Sequence, residues 1–162
     1  MINQVLSKAI SYGITAPNPH NTQAWKVKIV DPTSFLLYVD EKRLVTASDP
    51  PTRQIHLGQG TFIELVTVGM TGEGYDTLVD YFPEGEYSIE ECGKKPVAHI
   101  TLQKNEGIVH DPLFDAIPIR VTNRKPYTGT LINEAEWSDL KRLVGTTHSS
   151  VYTTGTEDAV KE

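Results

Sequence analysis

The feature that most constrains this chain is a short loop near its start, residues 16–25, which we call the amide loop. It contains two prolines, two asparagines, a glutamine, a histidine and a tryptophan. Pro17 and Pro19 fix their own φ angles, remove two backbone donors and push the residues before them toward extended geometry, so helix periodicity fails here. Trp25 begins an alternating run that predicts a strand. The amide loop is therefore predicted to be a rigid connection between a helix and a strand.

Two interpretations of the amide loop are open from its residues alone. Its side-chain amides and hydroxyl can bond the nearby backbone, in which case the loop is only a helix-ending turn. The same groups can instead face a ligand and form the polar rim of a pocket. His20 stands alone between prolines and amides, and the sequence shows neither a nucleophile–base–acid arrangement nor metal-ligand spacing. The polar side chains in question belong to Asn18, Asn21, Thr22 and Gln23.

Length and composition indicate one soluble domain with a real core. The chain has 162 residues, of which 38% are hydrophobic and 22% charged. Its net charge of −6 argues against a general nucleic-acid binder, although a few local basic groups would suffice for a small anionic ligand. The single cysteine excludes an internal disulfide. No apolar run predicts a membrane span, so a cytoplasmic location is expected, with export in folded form as the alternative if a signal before Met1 was removed.

The periodicity of the remaining chain predicts four helices and four strands. Helices are predicted over residues 3–13, 53–71, 111–117 and 134–144, and strands over 25–30, 35–39, 75–82 and 96–102, the first two of which form a hairpin. A short β-like stretch is expected at 151–152, and residues 157–162 begin like a further helix. The last complete helix is expected to bury a stripe of Ala135, Trp137, Leu140, Leu143 and Val144.

Several single residues carry local predictions. Asp49 or Thr52 is expected to cap the helix that begins near residue 53, and Asn133 the helix that begins at residue 134. Glycines inside a helix permit another backbone or a flat ligand to approach closely, and close helix packing is the favoured interpretation. His99 lies on the polar face of its strand and is expected at the surface. The helical glycines concerned are Gly58 and Gly60.

A second unusual stretch, residues 120–127, is called here the arginine segment. It places three basic groups, a hydroxyl and an amide within six residues of an otherwise acidic chain. Alone it would be a solvated basic patch. A phosphate monoester, however, is recognised by guanidinium forks together with hydroxyl or amide donors, and a flavin ring needs polar groups along its edge. The two stretches together could therefore serve both ends of a flavin nucleotide.

The two stretches resemble motifs of one known family. The spacing Ala-Pro-x-x-x-Asn-x-Gln-x-Trp in residues 16–25 is similar to the Pro-Ser-x-x-Asn-x-Gln-Pro-Trp loop of FMN-dependent nitroreductases. The arginine segment resembles the Arg-Arg-Ser-x-Arg-x-Phe phosphate-binding motif of that superfamily. The reversed order of the motifs, with Asp49-Pro50 and a Gly-containing helix between them, resembles the Acg-like branch, in which two nitroreductase-like halves are fused. The resemblance runs from about Leu6 to Val144.

The resemblance implies an α+β fold with a central, mostly antiparallel sheet flanked by helices. It also implies that residues 1–117 form a first nitroreductase-like half and that residues 118–162 begin a second, truncated half. FMN would lie between the two halves. Gln23 and Trp25 would have structural roles, and no side chain would act as a catalytic acid or base. The implied FMN ligands are Pro17, Asn18, Pro19 and Asn21 at the ring and Arg120, Thr122, Asn123 and Arg124 at the phosphate and ribityl chain.

The chain also departs from the family pattern. Asn18-Pro19 replaces a pair of serines, Ala24 replaces a proline, and Val121-Thr122 replaces Arg-Ser and so removes one cation at the phosphate. The resemblance implies an FMN-dependent NAD(P)H oxidoreductase that reduces nitroaromatic or quinone-like acceptors. Its alternatives are a non-catalytic protein that binds or sequesters FMN and an inactive half-domain that dimerises. The expected partners are a small-molecule electron acceptor and a second copy in a homodimer, without nucleic acid or membrane.

Overall fold

The computed structural model describes residues 3–126 and 132–143. Its helices are α1 (Gln4–Gly13), α2 (Arg53–Thr71) and α3 (Glu134–Leu143), and its strands are β1 (Trp25–Asp31), β2 (Ser34–Val39), β3 (Tyr75–Tyr81) and β4 (Ala98–Lys104). Residue contacts divide the chain into two units, 1–122 and 123–162, which are described separately below. The predicted boundary after residue 117 stays a prediction.

The first unit is built on one antiparallel sheet. Its four strands lie in the order β1-β2-β4-β3, with every neighbouring pair antiparallel. β1 and β2 form the predicted hairpin, whose turn is held by the Asp31 carboxylate. That carboxylate accepts the Ser34 hydroxyl at 2.7 Å and the Thr33 amide at 2.8 Å, and these bonds lower the pKa of Asp31. The sheet confirms the predicted α+β class.

One face of the sheet carries the core. β2 and β4 pair Phe35 with Ile100 and Leu37 with Ala98, and alternation along each strand puts all four side chains on one side. Helices α1 and α2 cover this side. The core residues that they contribute are fully or almost fully buried, and they comprise Leu6 and Ala9 from α1 and Phe62, Ile63, Val66 and Met70 from α2.

Two glycines allow α1 and α2 to pack closely. A Cβ built on Gly13 would lie 2.5 Å from the Phe62 ring, and one built on Gly69 would lie 2.4 Å from the Tyr12 ring. The prediction that Gly60 serves close helix packing is wrong, because no atom of the described residues lies within 4 Å of a Cβ built there. The same prediction is wrong for Gly58, whose Cβ position meets the amide loop rather than a helix. The positions where helices need glycine are therefore 13 and 69.

A polar contact joins α1 to the turn after α2. The Tyr12 hydroxyl donates to Glu73 Oε1 at 2.6 Å, and the Lys8 ammonium lies 3.1 Å from the same oxygen. Burial, with the Glu73 bond, raises the pKa of Tyr12 to about 12. The bond from Tyr12, followed by that from Lys8, lowers the pKa of Glu73. The contact fixes the helix pair that carries the amide loop.

The start of α2 is capped by a residue three positions before its N-cap position. Thr52 occupies the N-cap position in a left-handed conformation (φ 55°), and its side chain makes no capping bond. The buried Asp49 carboxylate instead accepts the Gln54 amide at 2.9 Å and the Ile55 amide at 3.1 Å. Of the two predicted caps, Asp49 is therefore the one that acts.

The second unit contains α3. Asn133 caps it as predicted, because its Oδ1 accepts the Ala135 and Glu136 amides, both at 3.0 Å. The predicted buried stripe is wrong for Ala135 and for Leu140, which are exposed, while Trp137 is half-buried. Three further predictions fall outside the described residues. They are the burial of the Leu143 and Val144 side chains, the β-like stretch at 151–152 and the helix start at 157–162.

Smaller differences from the predictions concern one inner strand, the end of another strand and the loops. His99 is half-buried rather than at the surface, and its Nε2 has no partner among the described residues. The predicted helix 111–117 is reduced to the single 3₁₀ turn Phe114–Ala116. Phe82 leaves β3 because it takes a left-handed conformation (φ 51°). Within the part of the chain that the structure describes, no helix has the length and apolarity needed to cross a membrane.

Candidate functional site

The amide loop has an unusual backbone. His20, Asn21 and Gln23 take φ angles of 50°, 54° and 50°, in the left-handed region that few non-glycine residues adopt. The prolines around them cannot extend a regular element, and only one 3₁₀ turn, Pro19–Asn21, forms. Such conformations persist only where surrounding contacts determine them, and they concentrate at functional sites. The loop is therefore held in one shape by its contacts.

Asn18 provides the contact inside the loop. Its Nδ2 donates to the Ala16 carbonyl at 3.1 Å, and its Oδ1 accepts the Gln23 amide at 2.9 Å. The side chain thus closes the loop across five positions and uses both ends of its amide. The predicted role of Asn18 against a flavin ring stays a prediction, and its amide acts as an internal brace.

Helix α2 provides the contacts beneath the loop. Three hydrogen bonds run between the helix segment 58–61 and the two ends of the loop. In addition, the amide loop lies directly over Gly58, where a built Cβ would be in ordinary van der Waals contact with Pro19, at 3.4 Å. The three bonds join Trp25 Nε1 to the Gly58 carbonyl (3.0 Å), Gln59 Nε2 to the Ala24 carbonyl (2.7 Å) and Thr61 Oγ1 to the Pro17 carbonyl (2.7 Å).

Gln59 and Thr61 were not among the predicted site residues. Gln59 is fully buried, and its position in the sequence could have indicated this burial. It lies at the spacing i+4 from Ile55 and i−3 from Phe62, so it occupies the buried stripe of α2, where a polar side chain requires a partner. A glutamine at such a position indicates a specific hydrogen bond, although its partner cannot be read from spacing.

The outer side of the loop keeps unused polar groups. The Asn21 side chain is exposed and makes no hydrogen bond within the described residues. The Thr22 carbonyl accepts the Arg43 guanidinium at 3.0 Å, while the Thr22 hydroxyl is buried without a partner among those residues. A cavity of about 320 Å³ lies between His20 and residues 44–48. The loop thus presents an open amide and half-buried proline rings on a fixed backbone.

The arginine segment reaches the amide loop through its first residue. The Arg120 Nη2 donates to the Thr15 carbonyl at 3.0 Å, immediately before the loop begins. Thr122 belongs to the same unit and is exposed. Asn123 and Arg124 belong to the second unit, where both are exposed and Asn123 Oδ1 accepts the Lys125 amide at 3.0 Å. Of the predicted phosphate ligands, Arg120 is the one that the structure places in contact with the start of the amide loop. Tyr127, the last residue of the arginine segment, lies outside the described residues.

Comparison with known proteins gives related sequences and a related fold. No family model matches the chain. A Mycobacterium tuberculosis protein named "Putative NAD(P)H nitroreductase acg" is 29% identical over 125 residues, which cover 76% of this chain and 36% of that protein. A second protein of that organism, also named as an NAD(P)H nitroreductase, is 26% identical over 125 residues, 77% of this chain and 35% of its own length. The chain thus spans about a third of the length of these relatives.

The fold comparison agrees with the sequence comparison. A crystal structure described as a "Putative NADH Oxidase" of Clostridium acetobutylicum matches with a TM-score of 0.52 and 13% identity, covering 74% of this chain and 88% of that one. The fold is therefore that of nitroreductase-like structures. The sequence is similar to that of the M. tuberculosis protein named for Acg, and this similarity supports a place in the Acg-like branch of the nitroreductase superfamily.

Proposed function

We propose that this chain supplies part of an FMN site in an NAD(P)H oxidoreductase of the nitroreductase type, which reduces nitroaromatic or quinone-like acceptors. The observation that carries the proposal is the Arg120 guanidinium at 3.0 Å from the Thr15 carbonyl, because it puts a cation of the arginine segment at the start of the amide loop. The names of the relatives, which refer to NAD(P)H nitroreductases, support the same class of reaction.

The donor set of the first unit fits FMN. A guanidinium carries five N–H donors, and within the described residues Arg120 uses one of them on Thr15, which leaves others for a phosphate. The open amide of Asn21 can donate to or accept from the polar edge of a flavin ring. In this unit the residues that would hold FMN are Pro17, Asn18, Pro19 and Asn21 at the ring and Arg120 and Thr122 at the phosphate and ribityl chain. Asn123 and Arg124 of the second unit are further candidates that rest on the family resemblance alone.

The chemistry would come from the cofactor and the specificity from the protein. Bound FMN supplies two-electron transfer between NAD(P)H and an acceptor, so no side chain of this chain has to serve as acid or base. The amide loop contributes orientation, because its backbone is fixed by Asn18 and by α2 before any ligand arrives. Pre-ordered groups bind without a further loss of conformational entropy. NAD(P)H and the acceptor would use the site in turn.

Titration of FMN into the protein tests this proposal. The expected result is quenching of flavin fluorescence, with binding weakened about tenfold or more in Arg120→Gln, since hydrogen bonds to charged groups are the strong ones. Arg142→Gln is the matched control, because Arg142 is exposed and pairs only with Asp139 among the described residues. Absence of flavin binding, both in this chain and in a longer chain that includes it, would contradict the proposal.

A non-catalytic FMN-binding protein is the second candidate. It is favoured by Val121, which stands where the family pattern has an arginine and so lowers the positive charge near the phosphate. Steady-state NAD(P)H oxidation with a nitroaromatic acceptor separates the two candidates. A rate above that of free FMN at the same concentration supports the enzyme, and a rate equal to it supports the binder.

The exposed side of α2 supports the proposed homodimer. Leu57 is 65% exposed on this side, and a Cβ on Gly60 would meet no atom of residues 3–126 or 132–143 within 4 Å. Exposed Arg53 and Glu64 flank them, so two copies of α2 packed antiparallel about this centre would bring the arginine of each toward the glutamate of the other. Light scattering should show a dimer for the protein and a monomer for Gly60→Glu; a monomer in both cases would contradict this part of the proposal.

A further inference from the structure

A cavity of about 310 Å³ lies at the start of α2 and shares no residue with the amide loop or the arginine segment. One wall is formed by Thr52 and His56, and the other by the loop after β3, including Phe82, Glu86 and Tyr87. Its volume is at the lower end of the range for small-molecule sites. The predicted functional residues do not account for it.

Both walls contain a strained backbone position. Thr52 has φ 55° and Phe82 has φ 51°, and a left-handed conformation is a genuine outlier for a β-branched or bulky residue. Thr52 is buried, at 2% exposed, and its amide donates to the Asp49 carbonyl at 3.0 Å. The Phe82 amide donates to the Val97 carbonyl at 2.9 Å. The surrounding bonds therefore hold one strained backbone position in each wall, and strained positions of this kind cluster at ligand sites.

The side-chain donors of the walls are already used. His56 Nδ1 lies 2.8 Å from the Thr52 carbonyl, which can only accept, so Nδ1 carries the proton and Nε2 is an acceptor in the neutral ring. The Tyr87 hydroxyl, 2.8 Å from Nε2, donates to it. The Thr52 hydroxyl donates to the Pro51 carbonyl at 2.7 Å. These side chains can therefore only accept further hydrogen bonds, so a ligand has to provide hydrogen-bond donors.

The charges around the cavity favour a positive ligand. The positive end of α2 is already neutralised by the buried Asp49 carboxylate. Glu86 is exposed on the wall, and no described lysine or arginine lies within ion-pair distance of it. The rings of Phe82 and Tyr87 meet edge to face with centroids 5.7 Å apart, and aromatic faces attract cations.

We propose that this cavity binds a small organic cation, a primary ammonium group carried on a ring of about benzene size. The ammonium donates to the Tyr87 oxygen and the Glu86 carboxylate, and the ring packs against Phe82. The site is separate from the proposed flavin site, so it can be tested whether or not the protein binds FMN.

Amide chemical shifts in the full chain test the proposal, with benzylammonium as the probe and benzyl alcohol and benzoate as ring-matched controls. Benzylammonium should shift resonances of residues 51–56 and 82–89 and bind at least about threefold more tightly than benzyl alcohol, while benzoate should not bind. Glu86→Gln should weaken benzylammonium binding about threefold, because the ion pair is exposed. Glu84→Gln, on the same loop but outside the cavity wall, should leave it unchanged.

Tyr87→Leu keeps an apolar wall and removes the ring face and the hydroxyl oxygen, so it should weaken benzylammonium binding more than benzyl alcohol binding. The Glu86→Gln and Glu84→Gln pair keeps the test decisive if Tyr87→Leu does not fold. Equal affinities for the three probes, equal effects of the two glutamate variants, or shifts at other residues would each overturn the proposal.

Discussion

The amide loop and the arginine segment carry the same family resemblance but are built in different ways. The amide loop is tied to itself by Asn18 and to α2 by three further bonds, and its backbone is held in a strained conformation. The arginine segment is exposed along residues 120–126, and its recorded contact with the rest of the first unit is the Arg120 bond to Thr15. One half of the proposed site is therefore pre-formed, while the other presents side chains that a ligand would order.

Removing the contact beneath the amide loop should destabilise the protein most. Gln59→Ala removes the donor to the Ala24 carbonyl and opens a cavity at a fully buried position. We expect the free energy of unfolding to fall by about 2–4 kcal/mol, by analogy with buried large-to-small substitutions and lost hydrogen bonds. Denaturant unfolding measures it.

Gln54→Ala is the matched control for that experiment. Gln54 lies in the same helix but is exposed, so its substitution should change the unfolding free energy by less than about 0.5 kcal/mol. Equal losses in the two variants would mean that α2 does not hold the amide loop in the way described.

The second prediction compares the two regions directly through one residue type. Asn18→Ala removes two bonds that close a strained loop, and we expect it to cost about 1–2 kcal/mol of unfolding free energy. Asn123→Ala removes a single exposed bond to the Lys125 amide and should cost less than about 0.5 kcal/mol. Thermal or denaturant unfolding distinguishes them, and a larger loss at Asn123 would reverse the comparison.

Sequence patterns predicted the local elements well, because helix and strand periodicities are local. The bounds of α2, Arg53–Thr71, and the hairpin of β1 and β2 agree with the predictions. The patterns did not show what Gln59 bonds or which side of α2 receives the amide loop. Those facts depend on how the helix is rotated against a segment 35 positions away in sequence, and no spacing rule encodes that rotation.

The prediction for Gly60 was wrong for the same reason. A glycine in a helix is compatible both with close approach of another segment and with an open surface, and only the packed structure distinguishes the two. Gly58 contacts the amide loop, whereas Gly60, two residues later and so about 200° around the helix, has no neighbour within 4 Å in the part of the chain that the structure describes. The left-handed angle of Gln23 was equally hidden, because glutamine does not favour it, whereas histidine and asparagine, the residue types at positions 20 and 21, adopt it more often than most.

Two substitutions in the amide loop, at Asn21 and at Gln23, should weaken FMN binding to different extents. The Asn21 side-chain amide is open to a ligand, whereas Gln23 is tied to Asn18 by its backbone amide, which an alanine keeps, and the family resemblance gives its side chain a structural role. Asn21→Ala should therefore weaken FMN binding about three- to tenfold, as expected for one hydrogen bond, and Gln23→Ala should weaken it less. Fluorescence titration gives both affinities. Equal or reversed effects would show that a different side chain faces the flavin.

The smallest expected effect concerns the helix pair that carries the loop. The Tyr12 bond lowers the pKa of Glu73 below its value in the unfolded chain, so the ionised form stabilises the fold. This stabilisation is fully present above the unfolded pKa, near 4.5, and is lost as the pH falls through the lower folded pKa. Because the Glu73 side chain is still 27% exposed, we expect less than about 1 kcal/mol. Unfolding free energies measured between pH 3 and 7 in the protein and in Tyr12→Phe test this prediction. The variant should lose less stability on acidification, because the bond that lowers the pKa of Glu73 is missing. Identical acid dependence in the two proteins would show that Tyr12 does not hold Glu73 ionised.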